Sequence, residues 1–237
     1  MSRSDRQLPL GVHLSVQTRL EDFVPGANRE ALQGVLDHAE GRARGPLFLY
    51  GPRACGKTHL LQGLSRLAGE TGRRSAYLPL GEAGLEAPGI LEGWESLDAV
   101  CLDRLERVAG DAEWERALMR LYEGLSESGG SLVVAAASGP RGLDLQLPDL
   151  ASRLAAGPVY QLAPLDDADL ATALRRRLGQ RGLELPDESA RWLLRRARRD
   201  MHSLAALADE LDRLSLSAQR RLTIPFLRET LDRVVGD

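Results

Sequence analysis

The sequence predicts an α/β fold: a five-stranded parallel sheet with helices on both faces, followed by a small all-helical domain. Three observations predict it. Short apolar runs alternate with helical patterns as far as residue 162, as expected of parallel strands joined by helical crossovers. One such run is followed at once by GPRACGKT, residues 51–58, a glycine-rich loop with the phosphate-binding spacing GxxxxGK[ST]. Beyond Pro164 the strand-like runs stop and helical periodicity alone remains.

The elements follow in chain order. Residues 1–22 read as an extended or mobile arm, and Pro25-Gly26 marks a turn. Asn28 is placed to cap a helix running to about Gly41. Leu47-Phe48-Leu49-Tyr50 reads as a buried strand between glycine and proline signals, and after the loop His59-Leu60-Leu61 opens a helix. The runs Ser75–Leu80, Ala99–Leu102, Leu132–Ala137 and Val159–Leu162 supply the other strands. The clearest helix is Asp111–Ser126, with Trp114, Leu118, Leu121 and Leu125 on one face and Asp111 as its cap. Further helices are expected over 166–181, 187–199, 200–217 and 223–235, with Asp166, Asp187, Asp200 and Thr223 as caps and Pro225 in a first turn. The predicted organisation is an arm (1–22), an α/β core (23–164) and a helical domain (165–237).

Composition narrows the function classes. The 237 residues are 43% hydrophobic and 27% charged, which is enough apolar material for a core. A net charge of −3 gives no overall pull toward nucleic acid or a membrane surface. No apolar run approaches the roughly 18 residues of a membrane span. MSRSDRQLPLGV at the start lacks the apolar stretch of a secretory signal, so no leader is expected. Cys55 and Cys101 are too few for a disulfide framework and favour a reduced, cytoplasmic setting.

Among 31 basic side chains, the single lysine is Lys57, and every other is arginine. It stands in the GKT triplet, where a compact ammonium on a flexible stem fits between the β- and γ-phosphates and a planar guanidinium does not. Gly51, Pro52, Arg53, Ala54, Cys55, Gly56, Lys57, Thr58 and His59 are therefore the candidate nucleotide-binding loop. Its glycines let the backbone wrap the phosphates, its N–H groups and the following helix N-terminus bind the anion, and Thr58 is the candidate Mg²⁺ ligand. Asp103, at the end of Leu97–Asp103, is the candidate second Mg²⁺ residue, acting through water, or else a capping aspartate.

The next position is Arg104, where a hydrolytic ATPase carries a second carboxylate to orient water, so hydrolysis by this chain alone should be slow. Glu106 is expected to point elsewhere. Ser138, at the end of the fourth strand, reads either as a contact to the γ-phosphate and attacking water or as a turn residue. Arg153, shortly before the last strand, reads as an arginine finger for a neighbour's site or as a surface arginine. Arg175, Arg176, Arg177, Arg191, Arg195, Arg196, Arg198 and Arg199 make the helical domain arginine-dense. A nucleic-acid patch or a nucleotide sensor would use such a run, but nearby aspartates and Glu210 favour a solvated face. Gln7, Leu8 and Leu10 lie in the arm, where a glutamine with spaced apolar residues can plug a partner's pocket.

With these residues in place, the chain resembles the AAA+ family, and within it the DnaA type, nearest the regulators that inactivate DnaA. The resemblance rests on Phe23-Val24-Pro25-Gly26-Ala27-Asn28, on Tyr50-Gly51-Pro52 through Gly56-Lys57-Thr58-His59-Leu60-Leu61, and on Ala109–Glu115. Leu147–Leu154 and Ala218–Phe226 carry it further. It implies a AAA+ core with a helical lid. It implies ADP or ATP with Mg²⁺ as ligands, ADP being the nucleotide such regulators hold. The implied partners are the DNA polymerase III β sliding clamp, bound by Gln7, Leu8 and Leu10, and DnaA, whose ATP would receive Arg153. DNA enters only indirectly, no membrane is involved, and a homodimer is left open. The family's lid sensor arginine falls at Met201-His202-Ser203-Leu204, so His202, or Arg199 one turn earlier, takes that place. A conventional DNA-associated ATPase or loader, and an adaptor merely stabilised by nucleotide, are the rival readings.

Overall fold

The computed structural model describes residues 18–82, 87–196, 201–218 and 222–228. In chain order the regular elements are α1 Arg29–Ala39, β1 Gly45–Tyr50, α2 Lys57–Glu70, β2 Ser75–Pro79, β3 Ala99–Asp103, α3 Ala112–Ser128, β4 Ser131–Ala136, α4 Pro148–Leu154 and β5 Val159–Gln161. Then come α5 Asp167–Gly179, α6 Asp187–Leu194 and α7 Met201–Ala218, and residues 224–228 are again helical.

The five strands form one sheet in the order β2-β3-β4-β1-β5, and every pair is parallel. Tyr50 aligns with Ala136, and Leu102 with Val134, so the carboxyl ends of β1, β3 and β4 share one edge. After β1 the chain crosses β4 and β3 to reach β2, whereas after β4 it returns across β1 to β5. Loop 51–56 therefore leaves the sheet where the winding direction changes, the place at which open α/β sheets bind ligands.

Side-chain alternation divides the core between the two faces. Phe48, Val100, Leu102 and Val134 pack with Trp114, Leu118, Leu121 and Leu125 of α3. Leu47, Leu49, Cys101, Val133 and Ala135 pack with Val35 of α1 and Leu60, Leu61 and Leu64 of α2. A separate cluster of Leu170, Leu174, Leu193, Leu204, Leu211 and Leu227 holds the helices after β5 together.

Local signals decide several ends. Asp111 caps α3 by accepting from Glu113 N and Trp114 N, and Asp166 caps α5 by accepting from Asp169 N. Two expected caps differ. Asn28 stands at the start of α1, but its buried amide exchanges two hydrogen bonds with the backbone of Ala163, at 2.8 and 2.9 Å, 135 residues away. Asp187 is the first residue of α6, and Pro186 holds the cap position. Helix α6 ends at Leu194 rather than near 199, and Asp200 lies outside the described residues. The last three residues assigned to the arm are not extended. Leu20–Asp22 form a single helical turn whose Leu20 is buried with the α2 leucines, because that apolar contact outweighs the polar neighbours.

Candidate nucleotide-binding site

Loop 51–56 needs its glycines for two different reasons. Gly51 lies against β5, where an added Cβ would fall 2.5 Å from Leu162 O. Gly56 adopts φ +102°, and a Cβ there would fall 2.6 Å from the Phe23 ring, so the chain can pass only without a side chain. Ala54 is also in the left-handed region, at φ +64°. Between these residues the loop turns into the N-terminus of α2, whose first N–H groups lack intrahelical acceptors and suit an anion.

Lys57 Nζ donates to Gly51 O at 2.6 Å and Pro52 O at 2.8 Å and approaches Cys55 Sγ at 3.7 Å. Thr58 Oγ1 donates to Asp103 Oδ2 at 2.6 Å. Asp103 is itself buried and accepts twice more, from Tyr77 OH at 3.1 Å on the same oxygen and from Arg104 N at 3.0 Å on the other. Burial and the Asp103 charge push the Tyr77 hydroxyl above its usual range, which keeps it protonated as a donor. The same two causes push the Cys101 thiol up, so this buried cysteine is chemically quiet.

Around this pair, Arg104 takes φ +59° and sends its guanidinium to Glu82, 3.0 Å away. Glu106, expected to point elsewhere, turns back onto the end of β4 and accepts from Ala137 N at 3.0 Å. Strand β4 ends at Ala136, and Ser138 follows in the turn, where its hydroxyl donates to Gly142 O at 3.0 Å. His59 Nε2 pairs with Arg19 O at 2.8 Å, and its ring tilts against Phe23. Burial lowers its pKa. Pro52 and Arg53 are exposed.

A cavity of about 880 Å³ opens beside the loop. Ala54, Cys55, Gly56 and His59 line one side, Phe23, Val24 and Leu165 an apolar side, and Arg176, Arg177, Gln180 and Arg181 the side facing the lid. Arg176 Nη1 donates to Glu21 O and Phe23 O, which ties α5 to the segment before α1. Of the lid arginines, Arg175 pairs with Asp187 and Arg177 with Asp209, and Arg196 lies over the Trp192 ring.

Arg153 is elsewhere, exposed on α4. Its guanidinium lies 6.0 Å from the Tyr122 ring centroid and makes no ion pair among the described residues. Gln7, Leu8, Leu10 and Arg199 lie outside the described residues, as does the His202 side chain on α7. Sequence reasoning missed Tyr77, which an apolar strand run disguises as core. It also missed Glu115, fully buried, whose carboxylate accepts from Gly110 N, Gln146 N and Leu147 N and so braces the approach to α4. It stands in Ala112-Glu113-Trp114-Glu115-Arg116, where nothing in the sequence separates it from the exposed Glu113.

Residues 14–79 match the family model of the bacterial DnaA ATPase domain, and residues 166–231 match that of the Hda lid domain. Domain III of the Thermotoga maritima replication initiation protein DnaA is similar over 91% of this chain and 96% of that one, at 23% identity and TM-score 0.78. The replication initiator DnaA bound to AMPPCP and single-stranded DNA matches at 24% identity and TM-score 0.70 over 84% of this chain. This chain covers 65% of that DnaA chain. The Thermotoga maritima RuvB Holliday junction branch migration motor matches at 18% identity and TM-score 0.69, over 93% of this chain and 73% of that one. These solved structures establish the fold. Sheet order, glycine-rich loop and helical lid together make this a AAA+ P-loop protein. More particularly, its core matches the bacterial DnaA ATPase domain over its first part, and its helical end matches the Hda lid domain. Among the described residues, no helix is long and apolar enough to cross a membrane.

Proposed function

We propose that this chain is an Hda-type regulator of replication initiation that binds ADP and stimulates hydrolysis of ATP held by DnaA. The observation that carries the reading is the contrast around Asp103. Thr58 and Asp103 are 2.6 Å apart beside the glycine-rich loop, while the next residue is an arginine engaged with Glu82. That arrangement suits holding a nucleotide and lacks the neighbouring carboxylate that would activate water.

In this reading the phosphates displace Gly51 O and Pro52 O from Lys57 Nζ and take the N–H groups at the start of α2. The Thr58 hydroxyl, and the Asp103 carboxylate through water, would hold Mg²⁺, an ion that takes few protein groups and keeps several waters. Held there, the ion would supply charge neutralisation at the phosphates. Phe23, Val24 and Leu165 offer the apolar wall for the nucleoside. Gln7, Leu8 and Leu10 dock on the DNA polymerase III β sliding clamp. Docking brings Arg153, exposed and paired with no carboxylate among the described residues, to the DnaA-bound ATP. Arg199 or His202 supplies the lid sensor.

The test is turnover of DnaA-bound ATP with the purified chain, with and without clamp loaded on DNA. Arg153→Ala should leave folding and nucleotide binding intact and lower stimulation about 10³-fold or more, the range for arginine fingers. Retained stimulation would exclude this role for Arg153.

The hydrogen bond from Ala137 N to Glu106 favours a second reading, a conventional ATPase. It brings a carboxylate to the end of β4, one residue from Ser138. DNA-stimulated turnover by the isolated chain, lost in Glu106→Gln, would establish that reading over the first.

A further inference from the structure

The arginines on the lid side of the cavity are more than a solvated face requires. Among the described residues its lining carries five arginines against two aspartates, and three of the five, Arg176, Arg177 and Arg181, lie on α5 or just beyond it. Arg177, in the last turn of α5, and Arg181, just beyond the helix, converge on one carboxylate oxygen. Arg177 Nη2 lies 3.2 Å from Asp209 Oδ1, and Arg181 Nη2 bonds the same atom. Arg181 Nε reaches Asp212 only at 3.7 Å. Arg177 Nε and Arg181 Nη1 are buried and have no hydrogen-bond partner among the described residues. Cations suit the C-terminal end of a helix, which accounts for one arginine there. Two guanidiniums sharing one oxygen, each with an unanswered buried donor, form a like-charge pair short of acceptors.

We propose that Arg177 and Arg181 form a basic clamp for the phosphates of a nucleoside diphosphate lying in this cavity, so that α5 supplies a lid contact to the ligand separate from the start of α7. The inference rests on the reading of loop 51–58 as the nucleotide site. The loop residues Ala54, Cys55 and Gly56 and the two arginines line the same cavity. A guanidinium fork matches phosphate oxygens in pairs, and a diphosphate supplies the acceptors that Asp209 alone cannot. Arg176 is not part of the clamp, because it is engaged with the backbone at Glu21 and Phe23.

The experiment is calorimetric titration of the full chain with ADP and Mg²⁺, comparing wild type, Lys57→Ala, Arg177→Ala, Arg181→Ala and Asp209→Asn, with thermal melts in the absence of nucleotide as a check on folding. Each arginine variant should weaken ADP binding about tenfold or more, the loss expected for a charge-assisted hydrogen bond. Asp209→Asn breaks the same ion pairs but leaves the guanidiniums free, so it should bind ADP as tightly as wild type or more tightly. Unchanged ADP affinity in both arginine variants overturns the clamp. So does a loss in Asp209→Asn equal to theirs, because that would mark the arginines as structural. If wild type binds ADP and Lys57→Ala does not, the loop reading stands whatever the clamp does. If wild type binds no nucleotide, both fall.

Discussion

Thr58 Oγ1 and Asp103 Oδ2 meet at 2.6 Å, joining the first turn of α2 to the end of β3. The same carboxylate is fixed from behind by Tyr77 OH and from its own chain by Arg104 N. Groups that orient a metal's ligands typically matter by about 10- to 100-fold in metal affinity. Tyr77→Phe should therefore raise the Mg²⁺ concentration needed for tight ADP binding about tenfold. Asp103→Asn should remove the Mg²⁺ dependence altogether. Titrations of ADP with and without Mg²⁺ check both, and an unaltered Mg²⁺ requirement in Tyr77→Phe would assign that hydroxyl to packing alone.

Glu115 offers a stability test. Its carboxylate accepts from three backbone N–H groups in a fully buried position. Glu115→Ala leaves all three without an acceptor and should cost about 3 kcal/mol or more. Glu115→Gln keeps one oxygen and should cost less. Urea unfolding monitored by circular dichroism measures the difference.

Acid should weaken the fold through the buried His38 and the half-buried His59. Burial lowers the pKa of His38 and of His59 below 6.5, so below that value the unfolded chain binds more protons than the folded one and stability falls with pH. Asp37, Asp209, Glu70 and Glu210 have carboxyl pKa values lowered from 3.8 or 4.5. Their contribution is lost only at more acid pH. Melting temperature should thus drop between about pH 7.5 and about pH 5.5, and drop less in His59→Gln. Equal slopes in the two proteins would rule out His59 as a contributor.

Two glycines of the same region should respond oppositely to alanine. In Gly51→Ala the new methyl meets Leu162 O at 2.5 Å and Cys55 Sγ at 3.1 Å, so β5 or the loop must move. The cost should be about 1–3 kcal/mol, with weaker ADP binding. Gly69 lies in α2 with nothing within 4 Å of an added Cβ, and Gly69→Ala should stabilise by about 0.5–1 kcal/mol. Thermal melts of both variants decide the matter.

Local features of this molecule are legible without its structure. The strand–loop–helix around Lys57 depends on neighbours in sequence, and so do the caps Asp111 and Asp166. What escapes is decided at a distance. Asn28 reads as a cap because its type and position allow one, but Ala163 claims its amide from 135 residues away. Tyr77 reads as one more core aromatic, since nothing near it in sequence announces Asp103. Leu20 reads as part of the arm because its neighbours are polar, and the surface that buries it is built by Leu60, Leu61 and Leu64 of α2. Glu106 follows the same rule, its partner Ala137 lying just past another strand.

The left-handed backbone at Arg104 has a consequence for how this chain could change. From that backbone the long side chain reaches Glu82. A carboxylate introduced at 104 would start from the same left-handed backbone, lose the ion pair with Glu82 and leave two like charges on one side of the strand end. Conversion to an efficient self-contained motor is thus not one codon away. The peptide would have to be refolded at this corner first, and on the proposed reading that makes dependence on a partner's chemistry hard to reverse.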